Sequence, residues 1–327
     1  MGARKTMYKD NIIRSRATDN IAFMGGVAVA IFTIAFFTGA GEGGLARLMG
    51  PIIADLNSPL LRDIAVAFTL TVTLVANLFI LGRFPLRAQI ITVWVELLLL
   101  FLLFFDSFNL SYSFILSKVG FMITQGVFTT VYVSAISISI AFVLALLGAT
   151  AKLSSNGFAI AIANFYTSFF RGVPLLIQIY LIYLGIPQLG YVVGAVPAGI
   201  LALSLCYGAY MTEIFRAGIR SIPRGQWEAS RAIGLTPFQV MTRVIMPQSM
   251  RLIIPPTGNQ FISMLKDSSL VSVIGVWELM FLARTQGRAE FRHLEMLITA
   301  AVLYWLLSII LETVQSRLEK RFDRAHR

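Results

Sequence analysis

Long apolar stretches recur along this 327-residue chain, and they constrain its fold more than any other feature. Three of them, residues 21–40, 64–81 and 88–105, approach the roughly 20 residues that a helix needs to cross a bilayer. Charged residues make up only 13% of the chain, about half the share found in soluble domains. Since a bilayer core offers the backbone no hydrogen-bond partners, such segments must be helical. The sequence therefore predicts an all-α integral membrane protein.

Further apolar segments bring the predicted number of transmembrane helices to about eight: residues 126–150, 157–185, 196–215, 253–282 and 297–311. Residues 157–185 are too long for one straight crossing, because a helix rises ~1.5 Å per residue and the hydrocarbon core is ~30 Å thick. We expect Pro174 to break that segment. A cleaved signal peptide is the alternative for the first segment, although its apolar region would usually be shorter.

Basic residues give the chain a formal net charge of +11 and are unevenly placed. They gather before residue 21, at residues 83–87, at Lys152, in residues 216–252 and after residue 316. The positive-inside rule then places both termini in the cytoplasm. The predicted outer segments hold only Arg47, Arg62, Lys118, Arg284, Arg288 and Arg292. The last three lie in one loop and fit the rule least well. Membrane orientation thus accounts for the charge, and we expect no nucleic-acid partner.

Cysteine and histidine are too scarce to support metal or disulfide chemistry. Cys206 is the one cysteine, so no intramolecular disulfide can form. His293 and His326 are far apart in the sequence and have no cysteine cluster beside them. We therefore expect no metal site and no enzymatic reaction in this chain.

Residues 216–252 form a polar insert between two apolar segments. A charged insert of this kind must lie in water, because burial of its charges in lipid would be costly. Pro223 can start a first short helix, and Gly234 suits the left-handed residue that closes it. Thr236 and Pro237 repeat the start signal, and we expect Pro247 to end the second helix. The insert is predicted to be a folded two-helix element on the membrane surface.

The spacing of residues in this insert resembles a known motif. Glu228, Ala229 and Ser230 are followed by Gly234 after three residues and, nine residues later, by a segment that ends at Pro247. This pattern resembles the EAA loop of ABC-transporter permease subunits, with Ser230 in place of the second alanine. Other stretches resemble the polar amino-acid branch of that family: residues 171–178, 209–214, 225–226, 258–259 and 265–270. The resemblance covers roughly residues 125–317.

The resemblance implies an organisation in three parts. Residues 1–124 would hold a tail and three additional helices, residues 125–317 a five-helix permease core, and residues 318–327 a basic cytoplasmic tail. Within the core, residues 216–252 would couple the permease to an ATPase. The residues that the family pattern assigns to this coupling loop are Gly225, Glu228, Ala229, Ser230, Ala232, Gly234, Pro237 and Pro247.

The same resemblance implies partners for an importer in a bacterial inner membrane. They are a second permease subunit, identical or paralogous, two ABC ATPase subunits, an extracytoplasmic solute-binding protein, an amino-acid substrate and membrane lipid. The chain has no G-x-x-x-x-G-K-[ST] phosphate loop, so ATP and Mg²⁺ are expected on the partner ATPase and no cofactor on this chain.

Polar and ionisable residues within predicted spans are candidates for a substrate path, because their burial in lipid is expensive. An amino acid is a zwitterion, so its carboxylate needs a cation, Arg171 or Lys266, and its ammonium needs an anion, Glu213 or Asp267. Mutual pairing that locks the helices is the competing explanation. The full set of candidates is Arg171, Gln178, Glu213, Asn259, Ser263, Lys266 and Asp267.

Two other functions remain open at this point. An ion-gradient-driven secondary amino-acid transporter would also need charged residues within its spans. A membrane enzyme would need clustered histidines, cysteines or paired carboxylates, and the sequence offers no such cluster.

Overall fold

The computed structural model describes residues 20–39, 58–106, 108 and 110–324 of the chain. Within these residues the secondary structure is helical, with no strand. The chain divides into two compact units, Met1–Leu110 and Ser111–Arg327. The predicted N-terminal tail, most of the first outer loop and the last three residues lie outside the described part.

The first unit contains three apolar helices, α1 (Ile21–Phe37), α2 (Pro59–Leu81) and α3 (Leu86–Asp106). They confirm that the three N-terminal apolar segments are helical. The side chain of Asn20 accepts hydrogen bonds from two backbone N–H groups and caps α1. Between α2 and α3, the Asn77 amide donates to the Glu96 carboxylate at 2.9 Å, which gives both polar side chains a partner.

The second unit begins with one long helix, α4 (Tyr112–Leu153), which contains a π turn at Met122–Val127. The sequence predicts residues 106–124 as an outer segment, polar and aromatic by turns, and from Tyr112 onward this segment is the first part of α4. Phe114 and Met122 pack in a cluster with Leu279, so tertiary contacts hold this segment helical. The predicted domain boundary at residue 124 consequently falls within α4.

A sharp break follows at Pro174, as predicted. Helices α5 (Gly157–Gly172) and α6 (Leu175–Leu189) meet at an angle of 107°. The buried side-chain amide of Gln178 donates to the carbonyls of Phe170 and Val173, at 2.9 and 2.8 Å. These bonds satisfy backbone acceptors that the break leaves without helical partners.

Helix α7 (Ala195–Arg220) is the most buried of the candidate spans. It lies close against α4, where a Cβ placed on Gly148 would stand 2.5 Å from the Thr212 hydroxyl. Tyr166 of α5 donates its hydroxyl hydrogen to the Leu205 carbonyl at 2.7 Å. Small residues that permit close helix contact are typical of membrane bundles.

The polar insert forms α8 (Arg224–Ala232) and the start of α9 (Pro237–Ile274). Pro247 does not end the second helix, so that prediction was wrong. A π turn at Val240–Ile245 ends two residues before Pro247 and opens the helix where the proline ring and its missing N–H would otherwise interrupt it. Two more helices complete the unit, α10 (Leu279–Ala289) and α11 (His293–Arg324).

Five helices of the described part, α2, α3, α4, α7 and α11, are long and apolar enough to cross a membrane. The bent pairs α5–α6 and α9–α10 raise the number to seven if each pair forms one span. Helix α1 is apolar but has only 17 residues. A multi-pass architecture is therefore confirmed, while the number eight stays a prediction.

Candidate functional site

The central part of the polar insert, residues 221–247, contains α8 and the start of α9 and is called the knob; local hydrogen bonds close it. Gly234 adopts a left-handed backbone with φ of +81°, as its position predicted. The Leu235 N–H donates to the Ser230 carbonyl and the Gly234 N–H to the Arg231 carbonyl, a pairing that ends helices in the Schellman motif. The chain therefore turns sharply after α8, and the turn depends on a glycine.

The second helix of the knob begins with a reciprocal cap. The Gln239 N–H donates to the Thr236 hydroxyl at 3.3 Å, and the Thr236 N–H donates to the Gln239 side chain at 3.0 Å. Pro237 occupies the first turn, where no N–H is needed. This capping box fixes the direction in which α9 leaves the knob.

One face of the knob is fixed and the other is open. Ser230 is buried and its hydroxyl donates to the Gln226 carbonyl at 2.8 Å, while the Gln248 amide donates to the Gln226 side chain at 3.1 Å. Ile233 and Phe238 are 75% and 76% exposed, so the knob leaves two large apolar side chains uncovered. The other predicted coupling residues are exposed: Gly225, Glu228, Ala229, Ala232, Gly234, Pro237 and Pro247.

A cavity of about 340 Å³ lies at the base of the knob, where α7 meets α8. Arg220, Arg224 and Arg231 line it together with Trp227 and Glu228. The knob thus presents a basic cavity and two exposed apolar side chains, features suited to contact with a folded protein partner.

Glu213 is the centre of a charge cluster that joins three helices. Its carboxylate accepts from Lys152 of α4 at 2.5 Å and from Arg216 of α7 at 2.8 Å, and lies 3.8 Å from Arg171 of α5. The Lys152 side chain is only 8% exposed. Because the carboxylate already has several cations around it, its position favours locking α4, α5 and α7 together.

A second cavity, of about 360 Å³, lies beside the break at Pro174. Arg171 and Asp267 both line it, together with Tyr207, Tyr210 and Gln260. The Tyr207 hydroxyl donates to the Asp267 carboxylate at 2.6 Å, and the Arg171 guanidinium lies 5.5 Å from the Tyr210 ring centre. We call this the charged cavity. It offers one cation and one anion within a single space.

The remaining candidate path residues do not line the charged cavity. Gln178 braces the break in the helix, and the Asn259 side chain accepts from Gln315 of α11 at 3.0 Å. Lys266 is exposed and Ser263 is half-buried. These candidates are therefore divided between contacts that join helical segments and surfaces outside the charged cavity.

Three cavity residues were missed in the sequence, Tyr207, Tyr210 and Gln260. A periodicity signal existed for each of them. Gln260 and Asp267 are seven residues apart on one helix, and Tyr207 and Tyr210 are three apart on another, so each pair shares a face. Nothing in the sequence indicated that these two faces meet.

Comparison with known proteins decides the family. Residues 141–324 match the family described as binding-protein-dependent transport system inner membrane component. This chain belongs to that family. The match includes the knob and every residue that lines the charged cavity, and it excludes α1, α2 and α3.

Individual relatives of this inner membrane component are amino-acid ABC permeases. The L-cystine transport system permease protein TcyB of Bacillus subtilis (strain 168) is 38% identical over 62% of this chain and 87% of its own length. The arginine transport system permease protein ArtQ of the same organism is 36% identical over 65% of this chain and 97% of its own length.

A solved structure leads to the same group of proteins. A chain from the crystal structure of an amino acid ABC transporter with histidines superposes with a TM-score of 0.61 at 34% identity, over 65% of this chain and 99% of that one. These relatives are ABC transport proteins and not ion-gradient-driven secondary transporters. The secondary-transporter alternative is therefore set aside, and the membrane component described here is a transport subunit.

Proposed function

We propose that this chain is the membrane-spanning subunit of an ATP-driven importer of polar amino acids. The observation that carries the proposal is the charged cavity, which lies within the part of the chain that matches the permease family. Relatives named for the transport of cystine and arginine support the substrate class.

Arg171 and Asp267 suit the two charges of a zwitterion. The Arg171 guanidinium would bind the substrate carboxylate, for which its planar fork of donors is well matched. Asp267 would accept hydrogen bonds from the substrate ammonium. The Tyr207 hydroxyl donates to the Asp267 carboxylate and so holds that side chain in place. Glu213 does not line this cavity, so its proposed role is to fix the position of Arg171.

The knob is the proposed contact with an ATPase. Its turn at Gly234 and its capping box at Thr236 make it rigid, so that force applied to α8 would pass directly into α9. Glu228 would supply a charged contact, and Ile233 and Phe238 the apolar ones. Closure of the two ATPase subunits around ATP and Mg²⁺ would then move α9, which carries Asp267.

The proposed assembly contains two permease subunits, two ATPases and an extracytoplasmic solute-binding protein in a bacterial inner membrane. Both ends of the chain and the knob lie in the cytoplasm in this arrangement, as the basic residues of the sequence favour. A second copy of this chain or a paralogue would supply the other permease.

Reconstitution of the copurified complex in proteoliposomes tests the function. Labelled arginine, glutamine and cystine should accumulate only when ATP is present on the side of the knob and the binding protein is present on the other. Accumulation driven by a proton or sodium gradient without ATP would refute the proposal.

A further inference from the structure

A third cavity, of about 610 Å³, lies at the far end of α9 from the knob. Helix α9 runs from Pro237 to Ile274, and at ~1.5 Å per residue it is roughly 55 Å long. The residues of α9 beyond the knob still cover roughly 40 Å, more than the ~30 Å hydrocarbon core of a bilayer, so α9 is long enough for its two ends to lie on opposite sides of the membrane. We call the space at the far end the outer cavity.

The outer cavity is lined by cationic side chains from α10. Arg284 and Arg288 are four residues apart, so they share one face of that helix, and His293 at the start of α11 lies beside them. Both arginines are exposed, and the lining contains no Asp or Glu. Two like charges at this spacing repel each other, so the isolated permease carries them at a cost.

Neighbouring basic residues are neutralised, whereas these two are not. Arg292 pairs with Glu295 at 2.9 Å and Lys118 pairs with Glu290 at 3.2 Å. Neither Arg284 nor Arg288 forms an ion pair with any residue that the structure describes. These are also two of the three arginines that fit the positive-inside rule least well.

Contacts at the N-terminus of helix α10 fix its position and with it the position of Arg284 and Arg288. The Glu278 side chain caps its N-terminus by accepting from the Met280 and Phe281 N–H groups at 2.8 and 2.7 Å, and it also accepts from the Tyr304 hydroxyl. On the opposite face, buried Leu279 packs against α4 and α11. The orientation of the cationic face is therefore set before any ligand arrives.

The cations of the outer cavity favour a carboxylate that has no positive charge of its own close by. A free amino acid would leave its ammonium beside Arg284 and Arg288 without a counter-charge, and the charged cavity with Arg171 and Asp267 suits it better. An Asp or Glu side chain on a protein surface brings only negative charge. Tyr180 and Phe281 add the aromatic contact area that protein interfaces favour.

We infer that Arg284 and Arg288 receive acidic side chains of the extracytoplasmic binding protein when it docks on the permease. The inference rests on the proposed function, because it requires an importer that a binding protein supplies. The positive charges of Arg284 and Arg288 would then steer the approach of the binding protein and fix its position on the outer cavity.

The test uses the complete complex in nanodiscs and the binding protein that copurifies with it, once mass spectrometry and amino-acid binding have identified that protein. Affinity is measured without ATP at several salt concentrations. The double variant Arg284→Gln/Arg288→Gln should bind about tenfold more weakly and depend less on salt, since two charge pairs are lost. Arg288→Lys keeps the charge and should lose much less.

Arg292→Gln is the matched control, because that arginine already has a partner within the chain. Its affinity for the binding protein should stay near wild type. Equal affinity of the double variant and the wild type would overturn the inference while leaving ATP-driven uptake, and hence the proposed function, intact. Absence of ATP-driven uptake in the wild type would instead refute the proposed function.

Two further outcomes would also overturn the inference. If native mass spectrometry shows that the double variant loses its second permease subunit, the arginines belong to the contact between permeases. If free arginine or glutamine binds the permease–ATPase complex without the binding protein, and that binding is lost in the double variant, the outer cavity is a substrate site.

Discussion

Replacing Glu213 with glutamine is expected to destabilise the fold strongly, because it removes the shared anion of three basic side chains. Loss of one partner from a buried ion pair costs about 3–5 kcal/mol. Here the Glu213 side chain is 21% exposed and Arg171 and Arg216 are 43% and 33% exposed, so water screens part of the loss. Lys152, at 8% exposed, bears most of it. We expect a loss of about 2–4 kcal/mol in the free energy of unfolding.

The single cysteine provides the assay. Cys206 is buried, so a thiol-reactive fluorophore reports unfolding as detergent-solubilised protein is heated. Glu213→Gln should lower the midpoint by roughly 5–10 °C. Glu290→Gln is the matched control, because it breaks a surface pair with Lys118 and should cost no more than about 1 kcal/mol.

A second substitution separates lost pairing from lost packing. Adding Lys152→Met to Glu213→Gln removes the cation that Glu213→Gln leaves most buried, so part of the stability should return. The reasoning is refuted if the Glu213→Gln variant is as stable as the Glu290→Gln variant. It is also refuted if adding Lys152→Met to Glu213→Gln lowers the stability by as much as Lys152→Met does in the wild type.

Three other perturbations follow from the geometry. Gly234→Val forces a β-branched residue into a left-handed backbone, at a cost of about 1–3 kcal/mol. This variant should transport fewer substrate molecules per ATP hydrolysed in proteoliposomes. The control is Gly120→Ala, at an open helical position, which should leave that ratio unchanged. Asp267→Asn should raise the KM for uptake about tenfold or more, because it removes a charged acceptor; an unchanged KM would contradict the zwitterion site. Gly148→Val places carbon against Thr212 and should cost about 1–3 kcal/mol in the thiol assay.

The knob was predictable because its structure is specified locally. Gly234 and Thr236 act through their own backbone neighbours, so a reader of the sequence can place the turn and the capping box without knowing the fold. The break at Pro174 is equally local. The prediction that Pro247 ends the helix was wrong because the π turn before it accommodates the proline. No residue pattern in the sequence predicts such a turn.

The charged cavity was only half predictable. The cost of burying charge singled out Arg171 and Asp267 as residues that need partners. Which partner each takes depends on how α5, α7 and α9 pack, and that is decided by many small contacts such as those of Gly208 and Tyr166. Glu213 shows the same limit, since its carboxylate could have faced either a ligand or Lys152 until the helices were placed.

The π turn at Val240–Ile245 has a mechanical meaning, because it lies in the last part of the knob, before the stretch of α9 that carries Asp267. A π turn holds one residue more than an α turn, and if that extra residue moves along the helix to a point beyond Asp267, the stretch between the two points rotates by ~100° about the helix axis. The knob could therefore swing Asp267 into or out of the substrate space through a twist, with no hinge or broken helix. Deleting one residue from this turn should freeze the twist, and normal uptake by such a variant would rule the idea out.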